Sequence, residues 1–199
     1  MYNANLNPGK LEIFTGPMCS GKTREMLYRV DRIGYVAKGG CLLVKPGYDK
    51  RNTGVKTRFG AVELGCETIS EKNPKEILDL LNREHQVVAI DEAQFFDRSL
   101  IEVVEKLISR NLNVLVAGLD LNFRGEGFGV MPELMARADV ITKLTAVCVY
   151  DNCGKEATRC QRLINGKPAD YNSPVLFLGD TLEGYEPRCR EHHIVPGKP

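Results

Sequence analysis

Residues 87–96 read VVAIDEAQFF. An apolar run ends in two adjacent carboxylates, Asp91 and Glu92, with Phe95 and Phe96 close behind. An acid at the end of a buried strand suits a hydrated metal ion, and Asp91 fits the Mg²⁺-associated acid of nucleotide enzymes. The second acid has a different reach, because successive side chains on a strand point to opposite faces. If the strand stops at Asp91, Glu92 is free to aim at a nucleophile. It then either polarises a water or takes the proton of a substrate hydroxyl. Both are general-base roles, typically contributing about 10²–10⁴-fold. The residues themselves leave water and alcohol open.

The partner for this metal lies upstream. GPMCSGKT, Gly16 to Thr23, matches G-x-x-x-x-G-K-[ST] between a predicted strand and a predicted helix. The loop of Gly16, Pro17, Met18, Cys19, Ser20 and Gly21 turns backbone N–H groups around phosphate oxygens, and the following helix N-terminus adds partial positive charge. Lys22 reaches the outer phosphates and the Thr23 hydroxyl ligates Mg²⁺. The ligand of such a loop is a nucleoside triphosphate. A planar second ligand is suggested by GLDLNFRGEGFG (118–129), which gathers Leu119, Phe123 and Phe128 among glycines at another strand end. The rim of a parallel sheet is where such ligands bind.

A third constellation closes the chain. Cys148 and Cys153, then Cys189 and His192, form two close pairs of N/S ligands suited to structural, tetrahedral Zn²⁺. His193 competes with His192 for the fourth place. With seven cysteines in a chain expected to be cytosolic, metal ligation is the better account of those that cluster. Cys41 and Cys66 read as buried apolar residues.

Elements must position these groups. Strands are expected at 11–16, 39–46, 87–91, 113–120 and 141–149, and helices at 23–38, 74–84, 99–111 and 131–139. Residues 47–60 read as a loop. Strand–helix alternation to about residue 147 predicts an α/β fold, a parallel sheet flanked by helices. The nucleotide-binding core is expected over 1–145 and a zinc-binding subdomain over 146–199. The 43% hydrophobic content supports an ordinary globular core. A net charge of +1 argues against nucleic acid as partner. No apolar run reaches membrane-span length, and MYNANLNPGK lacks a secretory pattern; a cytoplasmic protein without membrane partners is expected.

In order, GPMCSGKT, KPGYDKR, IDEAQFF, GLDLNFRGEGFG, KLTAVC and YEPRCREHH make the chain resemble the thymidine kinases of the cellular bacterial and animal type, type II. The resemblance covers nearly the whole chain. It implies a RecA-like P-loop core with a small zinc domain, assembled as a homotetramer. It implies transfer of the γ-phosphoryl of ATP to the 5′-hydroxyl of thymidine, and of deoxyuridine, in nucleotide salvage, with feedback inhibition by thymidine triphosphate. Glu92 matches the catalytic base, and Asp91 the Mg²⁺-associated acid. Gln94 is assigned with Asp91 to the nucleotide side. Met18, Phe95, Leu119, Phe123 and Phe128 match positions lining the nucleoside pocket, and Tyr185 matches a tyrosine in a loop, roughly 165–185, that closes over the nucleoside. Asp49 and Arg51 match an acid and an arginine after the second strand. Arg124 is a candidate for charge on the moving phosphoryl group.

The chain also departs from the family. CVYDNC spaces the first cysteine pair by four residues instead of two, and CREHH offers a histidine where many members have cysteine. Cys19 stands where phenylalanine is frequent. Cys160 stands where a hydroxyl residue usually faces the base, and a thiol is the weaker hydrogen-bonding group. Two other readings remain: a zinc-ribbon ATPase acting on nucleic acid, and a non-catalytic nucleotide switch. Against the first, the 199-residue chain has no room for a second RecA-like domain.

Overall fold

A computed structural model describes residues 9–36, 40–47, 54–56, 63–175 and 183–199. Asp49, Arg51 and most of the 47–60 loop lie outside the described residues. The elements run β1 (Leu11–Thr15), α1 (Lys22–Val36), β2 (Gly40–Pro46), β3 (Gly54–Lys56), β4 (Glu63–Gly65), β5 (Glu67–Ile69), α2 (Glu76–Asp79), β6 (His85–Ile90), α3 (Ser99–Ser109), β7 (Asn113–Gly118), α4 (Met131–Arg137) and β8 (Val140–Lys143). The tail adds β9 (Ala146–Val147), β10 (Glu156–Ala157), β11 (Arg159–Ile164), β12 (Lys167–Pro168) and β13 (Glu183–Arg188).

Six strands form one sheet in the order β5-β2-β6-β7-β1-β8, and every pairing in it is parallel. Parallel order requires crossovers that cover both faces, so the central strands are largely apolar, and the one carboxylate in β1, Glu12, is paired with Arg29 at 2.9 Å. β1 and β7 are buried at every position. Alternate residues then serve two cores. Leu11, Ile13, Val114 and Val116 pack under α2, α3 and α4 with Ile77, Leu100, Leu107 and Leu134. Phe14, Leu115 and Ala117 pack under α1 with Met26, Leu27 and Val30. Each fully buried aliphatic side chain contributes about 1.5–3 kcal/mol by removal from water. Parallelism also places the loops after β1, β6 and β7 on one rim, with β7 separating the strand before Gly16 from the strand before Asp91.

Two expectations change. The helix expected over 74–84 is only α2, Glu76–Asp79. Asn82 Oδ1 accepts the N–H groups of Glu84 and His85 at 2.9 and 3.2 Å, a side-chain turn that competes with helix continuation. The strand expected over 141–149 is broken: β8 pairs with β1 in the main sheet, while β9 pairs with β10 in the tail. α3 ends as its sequence allows, with Asn111 left-handed at φ 60° and the Leu112 N–H donating back to Leu107 O at 3.1 Å. No helix among the described residues is long and apolar enough to cross a membrane.

Candidate active site

The two carboxylates separate by a backbone turn. Asp91 still belongs to the ladder, donating its N–H to Val44 O at 2.9 Å. Glu92 then turns left-handed, at φ 52° and ψ 39°. Such a conformation costs a non-glycine residue about 1–3 kcal/mol and has to be held by its surroundings. Asp91 Oδ1 accepts the Glu92 N–H at 3.0 Å, and both Asp91 oxygens lie 3.1 Å from the donating Thr23 hydroxyl. Burial, together with the neighbouring charge of Glu92, pushes the Asp91 carboxyl up to about 7, against the Thr23 hydrogen bond, the Glu92 amide and Lys22. A bound cation reverses that balance. The hard oxygens of Thr23 and Asp91, side by side at the loop, suit Mg²⁺.

Gly16 and Gly21 take φ 141° and 87°, and a Cβ on Gly16 would meet Leu144 O at 2.2 Å. Lys22 is buried and donates from Nζ to Pro17 O at 2.8 Å. Cys19, left-handed at φ 64°, exposes its side chain. The Met18 N–H donates to Cys160 Sγ at 3.1 Å, joining this loop to β11 across 142 residues. Burial raises the Cys160 thiol above its ordinary value.

Gln94 connects the acid to the next loop. Its Nε2 donates to Glu92 Oε2 at 2.5 Å, and its Oε1 accepts the Leu119 N–H at 3.0 Å. Two glycines make room for it. A Cβ on Gly118 would lie 2.8 Å from Gln94 Oε1, and one on Gly129 would lie 2.2 Å from Gln94 O. The sequence offered this signal as a glutamine two residues past Glu92 and glycines flanking 118–129; it did not offer the bond to Glu92.

Phe95 and Phe128 meet edge to face, with centroids 5.8 Å apart. Leu119 is half-buried, whereas Phe123 is buried at 2% exposure. Arg124 does not point at the carboxylates through any hydrogen bond seen here; its Nη2 donates to Ser173 O at 3.0 Å. Tyr185 lies on β13 opposite Arg162 and is partly exposed.

The tail brings together Cys148, Cys153, Cys189 and His192, with one ligand atom of each within 4.8 Å of every other. Ligands about 2.3 Å from a tetrahedral zinc lie about 3.8 Å apart; His192 Nδ1 is 3.7 Å from Cys148 Sγ and 3.4 Å from Cys189 Sγ. The residues therefore fit Zn²⁺. The long first spacing closes because Asp151, Asn152 and Gly154 are all left-handed, with the Cys153 N–H on Tyr150 O at 2.8 Å. Burial opposes ionisation of Cys148, but the amides of Cys189 and Tyr150 and the His192 ring outweigh it and bring the thiol to about 6. His193 turns away, its Nε2 donating to Phe123 O at 2.8 Å.

A family model described as thymidine kinase matches residues 9–193. A thymidine kinase of Coprothermobacter proteolyticus is 46% identical over 192 residues, which span 96% of this chain and 93% of that protein.

Proposed function

The chain belongs to the thymidine kinase family, and on that premise we propose how its site divides the work of phosphorylating thymidine. ATP lies along the loop Gly16–Gly21, its outer phosphates met by Lys22. Thr23 and Asp91 hold Mg²⁺, which supplies charge neutralisation on the phosphates. Glu92 accepts the proton of the thymidine 5′-hydroxyl as that oxygen attacks the γ-phosphoryl group. Gln94, through its amide, fixes where the Glu92 carboxylate sits. Catalysis is then mostly positioning and charge stabilisation.

The observation that carries this reading is the left-handed Glu92. It lets two neighbouring carboxylates do different jobs, one beside Thr23 and the other held by Gln94 toward the loop of Leu119. The nucleoside occupies that side, against Met18, Phe95, Leu119, Phe128, Cys160 and Tyr185, with Phe123 packed beneath.

Residues 1–145 act as a RecA-like P-loop core, and 146–199 as a subdomain stapled by structural Zn²⁺ on Cys148, Cys153, Cys189 and His192. A staple of this kind turns metal-binding energy into folding energy where the apolar core is small. We place the enzyme in the cytoplasm, in nucleotide salvage, as a homotetramer inhibited by thymidine triphosphate. Exposed Val140 and Ile141 on the edge strand β8 support subunit contact, as apolar surface that a partner would cover.

The experiment is phosphoryl transfer from γ-labelled ATP with Mg²⁺ to a nucleoside panel, with a water-only control. Label on thymidine well above deoxycytidine is expected. Label released solely as phosphate would assign Glu92 to water and remove the kinase mechanism.

A further inference from the structure

Two guanidinium groups hold consecutive carbonyls of the tail. Arg124 donates from Nη2 to Ser173 O at 3.0 Å, and Arg162 donates from Nη1 to Pro174 O. Both cations lie over one ring, that of Phe123, with their carbons 5.6 and 5.5 Å from its centroid. Arg162 is 1% exposed and Phe123 2%. Charge-assisted hydrogen bonds removed from water in this way are strong and directional.

Tyr171 closes the group from the other side. Its ring centroid lies 4.8 Å from the Arg124 guanidinium carbon, and its hydroxyl donates to Glu126 Oε1 at 2.7 Å. The loop end of this contact is itself fixed. Asn122 Oδ1 accepts the N–H groups of Arg124 and Glu126 at 2.8 and 3.2 Å, and His193 holds Phe123 O.

We propose that Arg124, Arg162, Tyr171 and Glu126 form a clamp that positions the loop 119–129 against the tail chain at 173–174, and thereby sets affinity for the nucleoside and not for ATP. The inference rests on the nucleoside pocket assigned above. Leu119, Phe123 and Phe128 share the clamped loop, whereas the phosphates of ATP belong to the loop after β1. A pocket for a planar base loses affinity when its walls shift by a fraction of an ångström.

The test is steady-state kinetics with thymidine varied at saturating ATP, and the converse. Tyr171→Phe keeps the ring over Arg124 and removes the hydroxyl from Glu126. It is expected to raise KM for thymidine about 5- to 10-fold, with kcat and KM for ATP within about twofold of wild type. Arg124→Lys cannot reproduce the planar stack with its fork of donors, and is expected to raise KM for thymidine further. Glu126→Gln retains an acceptor for the tyrosine hydroxyl and should stay closer to wild type than Glu126→Ala. A melting temperature for each variant identifies those that are merely unfolded. A fall in kcat for Arg124→Lys at unchanged KM would overturn the clamp and put the guanidinium on the transferring phosphoryl group. Parallel rises in both KM values would overturn it as general loosening. Wild-type protein inactive on thymidine would sink the pocket assignment itself; active wild type with unchanged KM in Tyr171→Phe and Arg124→Lys would sink the clamp alone.

Discussion

Gln94 Nε2 donates to Glu92 Oε2 at 2.5 Å, while the other end of the same amide holds Leu119 N–H. One buried side chain therefore ties the proposed base to the loop on which the proposed acceptor rests. Glu92→Gln should keep nucleotide affinity and lose at least about 10²-fold in kcat. Gln94→Leu should lower kcat about tenfold, and should also lower stability because the Leu119 N–H loses its acceptor. ATP titration and single-turnover transfer check both; near-normal turnover in Glu92→Gln removes that residue from the base role.

Gly129 is a steric necessity of the same tie. Its φ is 52°, and a Cβ would come within 2.2 Å of Gln94 O. Gly129→Ala should destabilise the protein by about 2 kcal/mol or more, since left-handed strain and a backbone clash add. Gly166, at φ 74°, has no atom within 4 Å of its would-be Cβ, so Gly166→Ala should carry the strain alone and cost less. Chemical denaturation of the pair compares the two; equal losses would deny the clash.

One zinc per chain is expected by elemental analysis, held by Cys148, Cys153, Cys189 and His192. Cys189→Ser and His192→Ala should each lose the metal and lower the melting temperature, whereas His193→Ala should keep the metal because His193 holds Phe123 O instead. Metal loss in His193→Ala and retention in His192→Ala would reverse the assignment.

Cys19 is exposed on the loop after β1, whereas Cys41 is half-buried and its thiol is pushed up to about 12 by burial, against a backbone hydrogen bond from Ala89. A thiol alkylating agent near neutral pH should label Cys19 and spare Cys41. Mg·ATP should slow the Cys19 reaction by covering the loop. Mass mapping with and without nucleotide decides; unprotected Cys19 would place the phosphates elsewhere.

His193 links pH to stability. Burial first, and nearby Arg159, Lys198 and Arg188, hold its ring below the ordinary 6.5, against the hydrogen bond to Phe123. Because the folded value is depressed, protons bind the unfolded chain more tightly. The contribution is therefore complete above about 6.5 and is lost as pH falls through the folded value. His193→Gln keeps a donor but cannot titrate, so its melting temperature should fall less than that of wild type between about pH 7 and 5.5. Parallel curves would leave His193 without this role.

What the sequence determined by itself is what lies contiguous in the chain. GPMCSGKT specifies a glycine loop between a strand and a helix because its turns and its first helical residues are neighbours. The largely apolar runs at 11–15, 87–90 and 113–118 specify buried parallel strands because both faces demand apolar residues. The two carboxylates were visible for the same reason, and so was the Cys/His set as a group of ligand types. The tertiary structure decided which side chains meet across long separations. Met18 meets Cys160 and Gln94 meets Leu119 through folding of irregular loops, where no period of two or 3.6 assigns a face. Adjacent His192 and His193 look alike in sequence, and only the direction of the chain after Cys189 sends one to the cysteines and the other to Phe123. The break between β8 and β9 is likewise tertiary: the run 141–149 has strand character throughout, but β1 offers partners only as far as Lys143.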